Sequence, residues 1–186
     1  MTVRRIITST NGHGESHIAS DAEVPGTSVG AYPGTEFFLL WGTTDGHIQL
    51  VDGIKPEPVV LPFFASPGGT RFLIASFAPE CEATPPTGDP RRLQTEVQER
   101  LPGLWEAFPD TASAMHRTAT IDYAVCLRGE IDMELDSGDS VTLRTGDCVI
   151  QLGARHAWHN RGTEEAVMCF VGLGVEIAAP SSGPSE

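Results

Sequence analysis

Short apolar runs separated by glycine and proline constrain the fold of this chain more than any other feature. Fourteen prolines and twenty glycines are spread over 186 residues. Such spacing favours strands joined by tight turns over long helices. The clearest case is the segment 130–135, where Ile131, Met133 and Leu135 alternate with three acidic residues. Successive side chains of a strand point to opposite faces, so this segment has one apolar and one acidic face. The sequence therefore predicts an all-β sandwich or barrel.

The expected strands fall on both sides of one helical segment. The helix is predicted over residues 91–108, where Leu93, Val97 and Leu101 recur four apart and Pro102 ends or kinks it. Before it, strands are expected at 36–41, 47–51, around Val60 and at 71–77. After it, they are expected at 121–127, 130–135, 140–144, 148–151, 157–159 and 166–171. We expect residues 1–35 to form an N-terminal extension, residues 36–178 the barrel, and residues 179–186 a disordered tail.

The charge of the chain disfavours two classes of partner. There are 25 acidic residues against 12 basic ones, which gives a formal net charge of −13. A surface this negative repels the phosphates of nucleic acid and the head groups of anionic lipid. No apolar run approaches the roughly 18 to 20 residues that a membrane-spanning helix needs. We therefore expect no nucleic-acid partner and no membrane partner.

The four cysteines indicate a reducing compartment. Cys81, Cys126, Cys148 and Cys169 are scattered, with no pair at CxxC spacing. Three of them lie in apolar strand-like runs, where free buried thiols are usually found. A disulfide framework or a thiolate zinc site is therefore not expected. The N-terminus lacks the continuous apolar run of a secretory signal, and we expect a cytoplasmic protein.

Three side chains near the second group of strands could share a metal ion. His116 and Asp122 have the same parity in an extended segment, so they share one face, as do His156 and Trp158. An antiparallel barrel can place these two segments side by side. Two neutral imidazoles and one carboxylate make a facial site for a divalent ion with open positions. That donor set suits iron, manganese, nickel, cobalt or zinc, and it does not choose among them.

The spacing around these residues resembles the two motifs of the cupin superfamily. In the first motif, His116 takes the first histidine position, Thr118 replaces the second histidine, and Asp122 takes the carboxylate position, followed by Gly129. The second motif is matched by residues 146–160, with Gln151 in place of proline, His156 as the ligand and a first gap one residue short. The resemblance is specific over residues 115–162, while residues 36–77 resemble the family in architecture only.

The resemblance implies a fold, a metal and a class of function. The fold is an all-β, cupin-type jelly-roll β-barrel with N-terminal extra strands and one short helix. The implied assembly is a homodimer, because small cupins commonly pair through their N-terminal strands. The resemblance assigns His116, Asp122 and His156 to a divalent metal. Trp158, Gln151 and Thr118 are expected to contact a small-molecule substrate.

The sequence is compatible with three functions. The first is a metal-dependent enzyme acting on a small organic acid or a polyketide-like or aromatic compound, as a non-oxidative lyase (a decarboxylase or dehydratase). The second is an iron(II) dioxygenase, which uses the same 2-His-1-carboxylate set. The third is a non-catalytic cupin that binds a small molecule. With Thr118 in the position of the second histidine, the family's four ligands become three, and more of the coordination sphere is left to water or substrate.

Overall fold

Ten strands and two short helices account for the regular structure of the residues described by the computed structural model, 1–44, 57–108 and 114–178. Three strands come first, the described residues 57–69 are irregular, and a fourth strand then leads into the helices. The second half is almost entirely strand. The elements are β1 (Val3–Thr10), β2 (Ser16–Val24), β3 (Thr35–Thr43), β4 (Thr70–Phe77), α1 (Pro90–Arg100), α2 (Leu104–Ala107), β5 (Thr120–Arg128), β6 (Glu130–Leu135), β7 (Ser140–Arg144), β8 (Cys148–Leu152), β9 (His156–His159) and β10 (Ala166–Gly174).

The predicted all-β architecture is confirmed, with two local corrections. The strand expected around Val60 is wrong, because residues 57–61 form no strand. Pro58 and Pro62 flank it, and proline has no N–H to donate to a ladder. The single helix predicted over 91–108 is two helices, separated at Pro102 and Gly103. The strand expected at 47–51 and the tail expected at 179–186 lie outside the described residues.

The strands form three antiparallel sheets. One sheet has five strands in the order β3-β4-β10-β5-β8, a second has three in the order β7-β6-β9, and β1 and β2 form a hairpin. A pair of backbone hydrogen bonds between His116 and His156, with N···O distances of 2.9 and 3.0 Å, joins the segment before β5 to β9. Among the described residues, no helix is long and apolar enough to cross a membrane.

Three apolar clusters hold these layers together. The first packs α1 and α2 against β4, the second fills the space between the five-stranded and three-stranded sheets, and the third packs the β1–β2 hairpin on β3. The middle cluster makes the two larger sheets the facing layers of a sandwich. Its buried members are Ala124, Cys126, Ile131, Leu143, Ala166 and Met168.

The outer face of the five-stranded sheet carries an apolar row that runs across all five strands. Strand register aligns its members one after another from β3 to β8. Three of them, Phe72, Tyr123 and Ile150, are exposed by 39%, 46% and 57%. We call this set the outer row. Its members are Trp41, Phe72, Val171, Tyr123 and Ile150.

Candidate functional site

Two of the predicted ligands, His116 and His156, form a pair at one end of the sandwich. Their ring centroids are 4.2 Å apart, with the planes tilted by 55°. The pairing follows from the backbone, because the two residues exchange both hydrogen bonds of an antiparallel bridge. Both side chains are buried. Phe108 covers the outer side of the pair by stacking on His116 at a centroid distance of 4.2 Å.

Both imidazoles are held in the same tautomer. Nδ1 of His116 lies 3.1 Å from the carbonyl oxygen of Ala114, and Nδ1 of His156 lies 2.9 Å from that of Ala154. A carbonyl oxygen only accepts hydrogen bonds, so each Nδ1 carries the proton and each Nε2 keeps its lone pair. Such an arrangement is typical of metal-binding histidines, whose other ring nitrogen is fixed by a backbone carbonyl.

The pair is neutral at physiological pH. Burial, with a smaller contribution from the neighbouring His156, lowers the pKa of His116 to about 3, although backbone hydrogen bonds partly oppose the shift. Burial also lowers the pKa of His156. A buried charge without a partner is disfavoured, so both rings remain unprotonated. The site therefore presents two neutral nitrogen donors.

Asp122, the third predicted ligand, lies on β5 among threonine hydroxyls. Its Oδ2 is 2.5 Å from Oγ1 of Thr120 and 3.5 Å from Oγ1 of Thr118, and the two threonine hydroxyls are 2.7 Å apart. Burial raises the pKa of Asp122, while hydrogen bonds from Thr120 and Thr118 oppose that shift. The carboxyl group therefore keeps its proton to a higher pH than an exposed aspartate does.

The structure tests how well these residues fit a divalent metal. Over the described ranges, no three histidine, cysteine or acidic side chains form a group that could hold a metal ion. His116 and His156 suit a metal ion in two respects: each is a neutral imidazole, and each keeps the lone pair of its Nε2. Asp122 lines the same cavity but is not grouped with them. The histidine pair therefore offers two nitrogen donors to a metal ion. Coordination by Asp122 stays a prediction.

All six residues predicted for the site line one cavity of about 160 Å³. Aromatic rings form much of its wall. Trp158 contacts His156 edge-on at 5.8 Å between centroids, and it contacts Phe170 at 5.6 Å. Phe37 and Phe63 meet edge-on at 5.2 Å on another part of the wall. A cavity with this lining suits a small, mostly apolar or aromatic molecule.

Gln151 and Thr118 complete the predicted contacts. Both are buried. Nε2 of Gln151 lies 3.0 Å from the sulfur of Met133, which turns the amide along the cavity wall. Asn160, at the end of the second motif, is buried as well, and it donates to the carbonyl oxygens of Phe77 and Glu164 at 2.7 and 2.8 Å. It therefore anchors the turn after β9.

Arg71 and Tyr32 are among the cavity residues that the sequence did not predict for the site. Arg71 is buried, and its Nε and Nη1 donate to the carbonyl oxygens of Pro62, Thr43 and Thr70. The alternation of β4 contained this signal, because residue 71 has the parity of the buried residues 73 and 75. Tyr32 lies in the irregular segment before β3, where no periodicity could have identified it.

Arg71 and Asp122 lie in one cross-strand row, separated by a glycine. Gly172 of β10 pairs with Arg71 on one side and with Asp122 on the other. A methyl group added at Gly172 would lie 2.8 Å from Oδ1 of Asp122, so the carboxyl group occupies the space above the glycine. No ion pair joins Arg71 to an acid within the described ranges. The row therefore adds polar groups to the cavity, besides those of the histidine pair.

The chain is similar to known cupin-domain proteins over part of its length. A family model described as Cupin domain (Cupin_2) matches residues 103–172, which contain His116, Asp122 and His156. The chain is similar to "Phomopsin biosynthesis cluster protein C'" of Diaporthe leptostromiformis, with 52% identity over 87 residues, 44% of this chain and 46% of that protein. It is also similar to "Cupin-domain-containing oxidoreductase virC" of Hypocrea virens, with 42% identity over 52 residues, 28% of this chain and 27% of that protein.

One solved structure shows a more distant similarity. The cupin 2 conserved barrel domain protein of Salinispora arenicola has a TM-score of 0.40 and 15% identity, with 75% of each chain covered. The matched part of this chain spans less than half the length of the two relatives named above. The match to the Cupin domain model is confined to residues 103–172, and this segment contains the residues of both motifs.

Proposed function

We propose that this chain is a metal-dependent cupin enzyme acting on a small organic acid or on a polyketide-like or aromatic compound. The observation that carries the proposal is the neutral pair His116–His156, which opens onto a cavity lined by aromatic rings. The relative from the phomopsin biosynthesis cluster supports a role in the biosynthesis of a secondary metabolite.

The cavity supports this substrate class through its size and lining. A volume of about 160 Å³ and walls of phenylalanine and tryptophan favour a compact planar molecule. Arg71 adds a buried positive charge to that lining. Burial lowers its pKa, and a buried guanidinium gains stability when an anionic group pairs with it. A carboxylate or enolate on the substrate would supply that group.

His116 and His156 would hold the divalent ion through their Nε2 atoms. When bound, such an ion acts as a Lewis acid that polarises an oxygen atom of the substrate. Asp122 lies on the same wall with a raised pKa, so its carboxyl group can hold or release a proton at Oδ2. The aromatic walls exclude water from the reacting molecule. This combination favours a non-oxidative lyase, in which a proton is moved while an enolate-like charge develops.

An iron(II) dioxygenase is the second candidate. The relative from Hypocrea virens is named as an oxidoreductase, which favours this candidate. Two histidines with open positions also suit an iron ion that binds substrate and dioxygen together. The two candidates differ in the metal and in whether dioxygen is consumed.

Metal analysis with paired variants tests the proposal. Purified protein is analysed for bound metal, and dioxygen uptake is recorded with small aromatic and polyketide-like acids, for wild type, His116→Ala and His156→Ala. His13→Ala, at an exposed turn, is the matched control. We expect a divalent metal in wild type and in the control, and its loss from both site variants. Zinc, nickel or manganese with no dioxygen uptake supports the lyase, whereas iron with substrate-dependent uptake supports the dioxygenase. A metal-free wild type whose ligand binding survives His116→Ala would identify a non-catalytic binding protein.

A further inference from the structure

The guanidinium group of Arg71 keeps one nitrogen atom, Nη2, without a hydrogen-bond partner among the described residues. Of its five N–H groups, the three on Nε and Nη1 donate to the carbonyl oxygens of Pro62, Thr43 and Thr70. Nη2 is also not one of the fully buried polar atoms that lack a partner, so it keeps accessible surface. The two remaining N–H groups are therefore available to a ligand.

The side chain of Arg71 lies on the inner face of β4. It lines the cavity together with Leu73 and Ala75, which have the same parity, whereas Phe72 faces outward. The residue is only 6% exposed, and among the described residues it is the only buried arginine. The surface that Nη2 keeps is therefore directed at the cavity.

Open space lies beside the guanidinium group. On β10, a methyl group added at Gly172 would meet only atoms of Asp122 and Thr120 within 4 Å, so no atom of Arg71 fills the space above this glycine. The guanidinium group leans instead towards its other cross-strand neighbour, Gly42, where an added methyl would lie 2.9 Å from Nη1. Arg71 and Asp122 are two strands apart, about 10 Å. The gap between them is wide enough for an anionic group of a ligand.

An aromatic wall continues from the guanidinium group. The carbonyl oxygen of Pro62 accepts from Nε of Arg71 at 2.7 Å, and the next residue in the chain is Phe63. Phe63 lines the cavity and meets Phe37 edge-on at 5.2 Å. A planar ring can pack against these two rings while a substituent on it reaches Nη2.

We propose that Arg71 is a specificity-determining residue whose Nη2 donates hydrogen bonds to a carboxylate group of the molecule bound in the cavity. This rests on the proposed function, and it narrows the substrate class to planar carboxylic acids. The carboxylate binds at Arg71, so the histidine pair faces another part of the molecule. Hydrogen bonds between two charged groups are stronger than neutral ones, so a neutral ligand of the same shape binds less tightly.

Benzoate and benzamide separate the charge of the ligand from its shape. They differ in the replacement of a carboxylate by a neutral amide of nearly equal size. Arg71→Gln removes the buried charge, and Arg92→Gln removes the same charge from an exposed position of α1 as the matched control. His116→Ala tests whether the carboxylate binds at the histidine pair instead. Both affinities are measured by titration calorimetry for wild type and the three variants.

We expect wild type and Arg92→Gln to bind benzoate at least about tenfold more tightly than benzamide. His116→Ala should keep a preference for benzoate. Arg71→Gln should lose the preference and bind benzamide as wild type does. In wild type, the Nη protons of this buried group should exchange slowly enough to be seen by NMR, and benzoate should shift them downfield while benzamide should not.

Two outcomes would overturn the role of Arg71 alone. A preference for benzoate that survives Arg71→Gln and disappears in His116→Ala would mean that the carboxylate binds at the histidine pair. Equal affinities of wild type for the two probes, with unchanged Nη signals, would mean that Arg71 has only a structural role. If Arg71→Gln does not fold, the wild-type NMR decides, since an unshifted Nη signal refutes the proposal. Failure of wild type to bind either probe would instead refute the substrate class of the proposed function, and the role of Arg71 with it.

Discussion

Acid should destabilise this protein through His116, and the size of the effect follows from its burial. The pKa of His116 is about 3 in the folded protein, against an ordinary value of 6.5. Between these two values the unfolded chain binds a proton that the folded protein does not. The free energy of unfolding therefore falls as the pH is lowered through 6.5. Between pH 7 and pH 5, this single group should remove about 2 kcal/mol of stability.

The experiment compares wild type with His116→Phe, which keeps a ring stacked on Phe108 and removes the titrating group. Urea unfolding is measured at pH 7 and pH 5 in the presence of a chelator, so that metal binding adds no pH dependence. We expect wild type to lose about 2 kcal/mol more than His116→Phe over this interval. His13→Asn, at an exposed turn, should behave as wild type does.

Asp122 gives the free energy of unfolding a pH dependence of the opposite sign. This contribution cancels when wild type is compared with His116→Phe. Its pKa is raised by burial, so it stabilises the folded protein at low pH and loses that contribution as the pH rises through the folded value. Asp122 is present in both proteins, so its contribution cancels in the difference. Equal losses for wild type and His116→Phe would refute the claim that burial keeps His116 neutral.

Three further predictions concern the cavity wall and the outer row. Gly172→Ala places a methyl group 2.8 Å from Oδ1 of Asp122 and should displace this carboxyl group. We expect turnover to fall and the free energy of unfolding to decrease by about 1 to 3 kcal/mol; kinetics and urea unfolding check both. Thr118→His restores an imidazole beside Asp122, and calorimetry should show zinc binding at least about tenfold tighter than in wild type. The exposed apolar outer row predicts a homodimer. The double variant Tyr123→Glu, Ile150→Glu should therefore be a monomer by light scattering. Val141→Glu, at an exposed position of the three-stranded sheet, should leave the dimer intact.

The strands of the second half were predictable because each has an apolar face and ends in a turn. β6 and β7 were predicted with their observed bounds, since Ile131 and Leu143 alternate with polar residues. The N-terminal hairpin was not placed strand by strand. β1 and β2 together bury only Val3 and Val24 in the third cluster, so most of their residues show no apolar alternation. Where packing involves few residues, the sequence contains little pattern to find.

Cavity residues that lie on strands were predictable from the sequence, whereas those in irregular segments were not. Parity placed Asp122 on one shared face with His116, and His156 on another with Trp158, while the motif resemblance added Gln151. All of these residues line the cavity. The alternation of β4 would also have predicted that Arg71 faces the cavity. Tyr32, however, comes from irregular chain, and its position is set by contacts with residues distant in sequence, above all Phe108. Local periodicity has no information about such contacts.

The separation of Asp122 from the histidine pair shows what parity leaves undetermined. Residues of equal parity share a face, but six residues of extended chain span about 20 Å, so a shared face is not a shared position. A bend at Ala119 shortens this path and brings the hydroxyl of Thr118 to 3.5 Å from Asp122, while His116 bonds instead to the backbone of His156. Thr118 thus lies beside the carboxylate, at the motif position where cupins carry their second histidine. The sequence has replaced the motif residue that lies between His116 and Asp122, and among the described residues no third ligand groups with the histidine pair.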